Sequence, residues 1–98
     1  MTIGQKIKQL REKAGMLQRE LAYELKVGDA YLSKVERNAK VLKREHLSVI
    51  SNLFNEHLET LETLWLADKL YVIVKEESQA LEALKVAEQE IKYQTLKK

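Results

Sequence analysis

At 98 residues, with three glycines, no proline and no cysteine, the chain has room for one domain and excludes disulfide scaffolds, thiolate zinc sites and cysteine nucleophiles. Hydrophobic residues make up 45%, too many for a wholly disordered protein, and turn residues are too few for an all-β fold. The net charge of +2 hides an asymmetry: residues 1–55 carry 11 Lys and Arg against 6 acids, and residues 56–98 carry 6 against 9.

Thr2 and Gln5 have the spacing of a capping box, and Ile3, Ile7 and Leu10 then share one helical face before Gly15. Gln18 to Leu25 is a second, short helix with Leu21, Ala22 and Leu25 inward, followed by a turn at Lys26-Val27-Gly28. Asp29 to Arg37 is a third, with Leu32 and Val35 inward and an asparagine, Asn38, that tolerates the left-handed conformation at its end. The fourth, Lys43 to Asn55, buries Leu47, Ile50, Leu53 and Phe54.

From Glu56 to Lys98 no glycine or proline breaks the helical pattern, and Glu76-Glu77-Ser78 is the expected joint between a fifth and a sixth helix. Leu58, Leu61, Leu64 and Trp65 form one stripe of the fifth helix, and Leu66, Leu70 and Ile73 form another. A helix apolar on more than one side must be covered on more than one side. Leu81, Leu84 and Ile91 give the last helix one narrow stripe. The densest apolar run, Leu64 to Val74, falls short of the roughly 20 residues a spanning helix needs. With no secretory signal at Met1 to Lys6, a soluble cytoplasmic protein without membrane association is expected.

Lys34, Arg37, Lys40, Lys43 and Arg44 fall within eleven residues, with Glu36 the only acid among them. Such a strip suits either a polyanion or a solvated face. Catalytic chemistry finds no support. His46 falls on the exposed side of the fourth helix, His57 lies at a helix junction, and no third ligand stands at a metal-binding spacing. There is no glycine-rich phosphate loop and no serine with a plausible base. Neither an enzyme, a metal site nor a cofactor is expected.

Two short helices joined by a tight turn can place the second in a DNA major groove. Gln18-Arg19-Glu20-Leu21-Ala22, followed by Tyr31-Leu32-Ser33-Lys34-Val35-Glu36-Arg37-Asn38, resembles the Cro/C1-type (XRE) family of bacterial and phage transcriptional regulators over about residues 3–55. Four positions depart from the family pattern. Leu17 replaces a threonine or serine cap, Lys26 a turn glycine, Gly28 a cap serine and Asn38 a glycine. The resemblance implies an all-α, five-helix-type lambda-repressor-like DNA-binding domain over residues 1–55, with a C-terminal helical extension over 56–98.

It also implies roles. The helix from Asp29 is the recognition helix, presenting Asp29, Ala30, Tyr31, Ser33, Lys34 and Arg37. Lys34 suits guanine O6 and N7, and Ala30 suits a thymine methyl. Asp29 either accepts from cytosine N4 or serves the helix dipole. Tyr31 packs either on sugar-phosphate or against the second helix. Gln18, with Arg19 and the Gly28 turn, belongs to the phosphate-binding side, as do Arg37, Asn38, Lys40, Lys43 and Arg44. Arg11 and Glu36 form a structural ion pair. The expected function is a sequence-specific double-stranded DNA-binding regulator, a repressor that acts as a homodimer on a pseudo-palindromic operator. The alternatives are an antitoxin, or the controller protein of a restriction-modification system. A toxin or the polymerase is the open choice of protein partner. Dimerisation is expected through Leu61, Leu64, Trp65, Leu66, Leu70, Ile73, Leu81, Leu84 and Ile91.

Overall fold

The Thr2 hydroxyl accepts the Gln5 amide at 3.1 Å, and the Gln5 side chain accepts the Thr2 amide at 2.9 Å. Two orphan donors of the first turn are thereby satisfied, and the first helix starts where the capping box sets it. The structure is a computed structural model that describes residues 1–97. Among the described residues there are six helices and no strand: α1 (Ile3–Lys13), α2 (Gln18–Leu25), α3 (Asp29–Glu36), α4 (Arg44–Phe54), α5 (Leu58–Val74) and α6 (Ala80–Lys97).

The first four helices all run out into a left-handed residue: Gly15 at φ 68°, Lys26 at 58°, Asn38 at 66° and Asn55 at 52°. In each case the next amide reaches back to the carbonyl five residues earlier, Met16 to Arg11, Val27 to Ala22, Ala39 to Lys34 and Glu56 to Ser51. This closure satisfies carbonyls that a helix end otherwise leaves bare. It also shortens α3 relative to the expected Arg37, because Arg37 turns out of the helix at φ −95°, ψ 8° just before Asn38. Lys43 is extended (φ −72°, ψ 150°) and caps α4 from outside.

Ile3 and Ile7 of α1, Leu21, Ala22 and Leu25 of α2, Leu32 and Val35 of α3, and Leu47 and Ile50 of α4 meet in one core. Leu42, from the segment before α4, joins them with 2% exposure. Gly4 is what lets α1 lie against α3: a Cβ there would overlap the Val35 carbonyl oxygen and crowd Asn38 Oδ1 at 2.7 Å. Three side chains of α4 differ from expectation. Leu53 is exposed and Phe54 only half-buried, on the rim of an open groove with Leu10 and Ala14. His46 is half-buried, and its Nδ1 has no partner.

The expected division at residues 55/56 runs through this core. Leu61 and Trp65 of α5 are buried in it, with Leu58 and Leu64 packed against it. The Asp68 carboxylate accepts the Ile3 amide at 2.9 Å, so α5 also caps the N-terminus of α1. Beyond Asp68 the helix leaves the core: Leu70, Tyr71, Val72 and Ile73 are exposed. The joint spans residues 75–79, as the polar Glu76-Glu77-Ser78 suggests, and α6 buries no residue. A radius of gyration of 15.7 Å exceeds the roughly 13 Å of a compact chain this long. The last helix therefore stands off the domain instead of folding back over it.

Candidate nucleic-acid interface

Glu36, at the end of α3, gathers three donors from two other helices. Arg11 of α1 gives its Nε to Oε2 at 2.7 Å and its second guanidinium nitrogen to Oε1 at 3.0 Å. Gln18 of α2 gives its side-chain amide to Oε1 at 3.0 Å. Arg11 also donates to the Met16 carbonyl at 2.8 Å, so the turn between α1 and α2 hangs on the same group. The Arg11 pKa is raised above that of a free arginine, chiefly by the hydrogen bond to Glu36 and further by the charges of Glu36 and Glu12, against the opposing effect of desolvation. The guanidinium is permanently charged here. Removing one partner of a buried pair strands the other, at a typical cost of about 3–5 kcal/mol. Glu36 thus fixes how α2 and α3 sit on α1.

That frame aims the outer face of α3. Asp29, Ala30, Lys34 and Arg37 are exposed along it, while Ser33 and Tyr31 are half-buried. Among the described residues no ion pair involves Lys34, Arg37, Lys40 or Lys43. Arg37 folds back on its own helix, Nε to the Ser33 carbonyl at 3.3 Å. The Tyr31 hydroxyl donates to the Val41 carbonyl at 2.9 Å, so its polar end is tied to the segment after α3.

Several sequence candidates face elsewhere. The Asn38 side chain accepts from the Thr2 hydroxyl at 2.6 Å and belongs to the scaffold. Arg44 pairs with Glu62 of α5 at 3.1 Å and lies 5.4 Å from the Trp65 ring centroid, turned toward α5. Gln18 has its amide committed to Glu36, and the Leu17 amide is taken by the Glu20 carboxylate at 2.8 Å. At the start of α2 this leaves the Gln18 and Arg19 main-chain amides, which have no acceptor within a helix, beside the exposed Arg19 side chain. Gly28 is an extended N-cap at φ −75°, ψ 153°, with open space around it, a geometry that serine also adopts.

The second surface is apolar. Of its expected members Leu61 and Trp65 are core residues, not free to meet another chain, and half-buried Leu64 packs against the core. Leu66, Leu70, Ile73, Leu81 and Ile91 are exposed and Leu84 is half-buried. Two features escaped the sequence pattern altogether: Leu42 in the core, and the Trp65 indole N–H donating to the Leu42 carbonyl at 2.8 Å. One leucine in a polar, basic run has no period to announce it. No group of three or more His, Cys, Asp or Glu side chains that would hold a metal occurs among the described residues. No described helix is long and apolar enough to cross a membrane.

Comparison with known proteins agrees with this geometry. A family model described as helix-turn-helix matches residues 7–61. The HTH-type transcriptional regulator ImmR of Bacillus subtilis (strain 168) is 38% identical over 55 residues, which are 56% of this chain and 43% of that protein. The match thus spans less than half the length of that curated relative. A chain of the solved SinR protein/SinI protein complex superposes with a TM-score of 0.55 at 27% identity, covering 95% of this chain and 99% of that one. The likeness therefore extends past the matched family segment into α5 and α6.

Proposed function

Because this chain belongs to the helix-turn-helix family, whose model spans residues 7–61, we propose that it is a sequence-specific double-stranded DNA-binding regulator, a repressor that acts as a homodimer. One observation carries the reading. The exposed face of α3 and the segment after it present Lys34, Arg37, Lys40 and Lys43 without an internal counter-charge, on a frame locked by Glu36. In this reading α3 enters the major groove, Lys34 reads a base pair, and Lys40, Lys43 and the amides at the start of α2 hold phosphates. The protein works by binding, in the cytoplasm, without a cofactor.

The exposed apolar side of α5 and α6 supports the second copy. Leu66, Leu70, Ile73, Leu81 and Ile91 on a lone chain make an aggregation hazard, whereas two copies bury them and set two recognition helices on a pseudo-palindromic site. A second reading is an additional protein partner on this surface, as for an antitoxin. It is favoured by the likeness, through α5 and α6, to a structure whose printed name joins two proteins.

The test is the salt dependence of duplex binding. With the Arg44 and Asn38 side chains engaged by Glu62 and Thr2, about four phosphate contacts per subunit remain, so a dimer gives a log–log slope of roughly −7. Lys34→Ala costs about 1–3 kcal/mol at one base pair, and Lys43→Ala weakens all duplexes alike. A slope near zero, or no binding at low salt, removes the DNA reading.

A further inference from the structure

Residues 39–43 connect α3 to α4 without helical structure of their own, so no backbone ladder fixes their course. Two aromatic donors on two different helices take successive carbonyls of this segment. Tyr31 of α3 holds Val41 at 2.9 Å, and Trp65 of α5 holds Leu42 at 2.8 Å. Lys40 stands immediately before the clamped pair and Lys43 immediately after it, both exposed. We infer that Trp65 is a positioning residue for DNA binding, setting Lys40 and Lys43 through the Leu42 carbonyl without meeting DNA itself.

The geometry supports this in three ways. Trp65 is 8% exposed, so its indole has no surface to offer a duplex. Its hydrogen bond is buried, where an N–H···O bond is stronger and an abandoned carbonyl costs most. Its ring also carries the Lys69 ammonium 4.3 Å from the centroid, with Arg44 at 5.4 Å, and Arg44 is itself paired to Glu62 of α5. The helix thus grips the segment at Leu42 and at Arg44. Leu66, the next residue after Trp65, faces outward on the exposed apolar side of the same helix. A partner seated there is one residue away from the clamp.

The inference rests on the DNA-binding reading, and its test separates the two. Trp65→Phe keeps an aromatic ring in the core, deletes the indole donor and trims some buried volume. Ile50→Val trims the core at a site with no bond to the segment. With the full chain and one duplex across a salt series, Trp65→Phe lowers affinity about fivefold for every sequence and makes the slope shallower by about 1–2, one phosphate contact per subunit. Ile50→Val leaves affinity and slope as in the parent. In the free protein, amide exchange at residues 39–43 rises in Trp65→Phe while α1 keeps its protection. Parental affinity and slope in Trp65→Phe, unchanged exchange at 39–43, or an equal loss in Ile50→Val overturns the positioning role and leaves the DNA reading standing. Failure of the parent to bind any duplex overturns both.

Discussion

Lys26 occupies the left-handed region at φ 58°, ψ 42°, where a Cβ meets the following carbonyl. Such a residue costs roughly 1–2 kcal/mol unless it is glycine. Its neighbour Val27 closes the end of α2 onto Ala22 and packs against the core, so the chain has no other way through the turn. Lys26→Gly relieves the strain but loosens the unfolded chain, for a net gain of about 1 kcal/mol. Thermal unfolding should then shift upward by about 4–8 °C, and an unchanged or lower midpoint would mean the turn is not strained. Asn38 and Asn55 accept the same conformation more readily, since asparagine is enriched there. The demand was legible at Asn38 from the residue type, and at Lys26 only through the resemblance, whose pattern has a turn glycine there. Leu42 was not legible: nothing local separates a leucine that caps a core from one that rests on a surface.

At the scale of elements, Gly4 decides how closely α1 approaches α3. Both the Val35 carbonyl and the Asn38 side chain occupy the space a methyl group needs, and the carbonyl belongs to backbone that moves only with its helix. Gly4→Ala should destabilise by about 1–3 kcal/mol despite the better helix propensity of alanine. Urea unfolding should show a lower midpoint with an unchanged slope, and a more stable variant would show that α1 slides without penalty. The first four helices could be read in outline because each is short with one apolar face, and α1 has a side-chain cap as well. On α5 the two stripes were equally plain, but periodicity says only that a stripe is covered and never by what. Leu61 and Trp65 went to their own domain, so the exposed apolar surface holds fewer residues than the pattern suggested. Of the Glu36 frame, the pair with Arg11 came by resemblance alone and the Gln18 bond was not foreseen, since no spacing rule joins residues 11, 18 and 36.

For the whole molecule the question is what covers the outer side of α5 and α6. A monomer reading one half-site offers few contacts, and a closed two-fold pair answers both the apolar surface and the operator geometry. Leu70→Glu together with Ile73→Glu places charges on side chains that touch no core. The expected result is a dimer-to-monomer shift in sedimentation at micromolar concentration, with helix content and thermal midpoint of the domain retained. A parent chain that is itself monomeric at that concentration ends the two-fold proposal. Truncation is informative only if it respects the core. A chain cut at Asn55 loses Leu61 and Trp65 from the core and should be strongly destabilised, whereas one cut after residue 75 keeps every core residue and should remain a folded monomer.

The bond from Ile3 to Asp68 joins residues 65 apart, and nearly as long a stretch of chain separates the first core side chain, Ile3, from the last, Trp65. Domains fold as units while they emerge from the ribosome. This one cannot close when its four short helices are out, for the start of α1 and the space around Leu42 stay open until α5 follows. By the time Asp68 is free, α6 has still to appear. Each nascent chain therefore completes its core before the second apolar helix emerges, and under the two-fold proposal pairing becomes a later event between domains already folded.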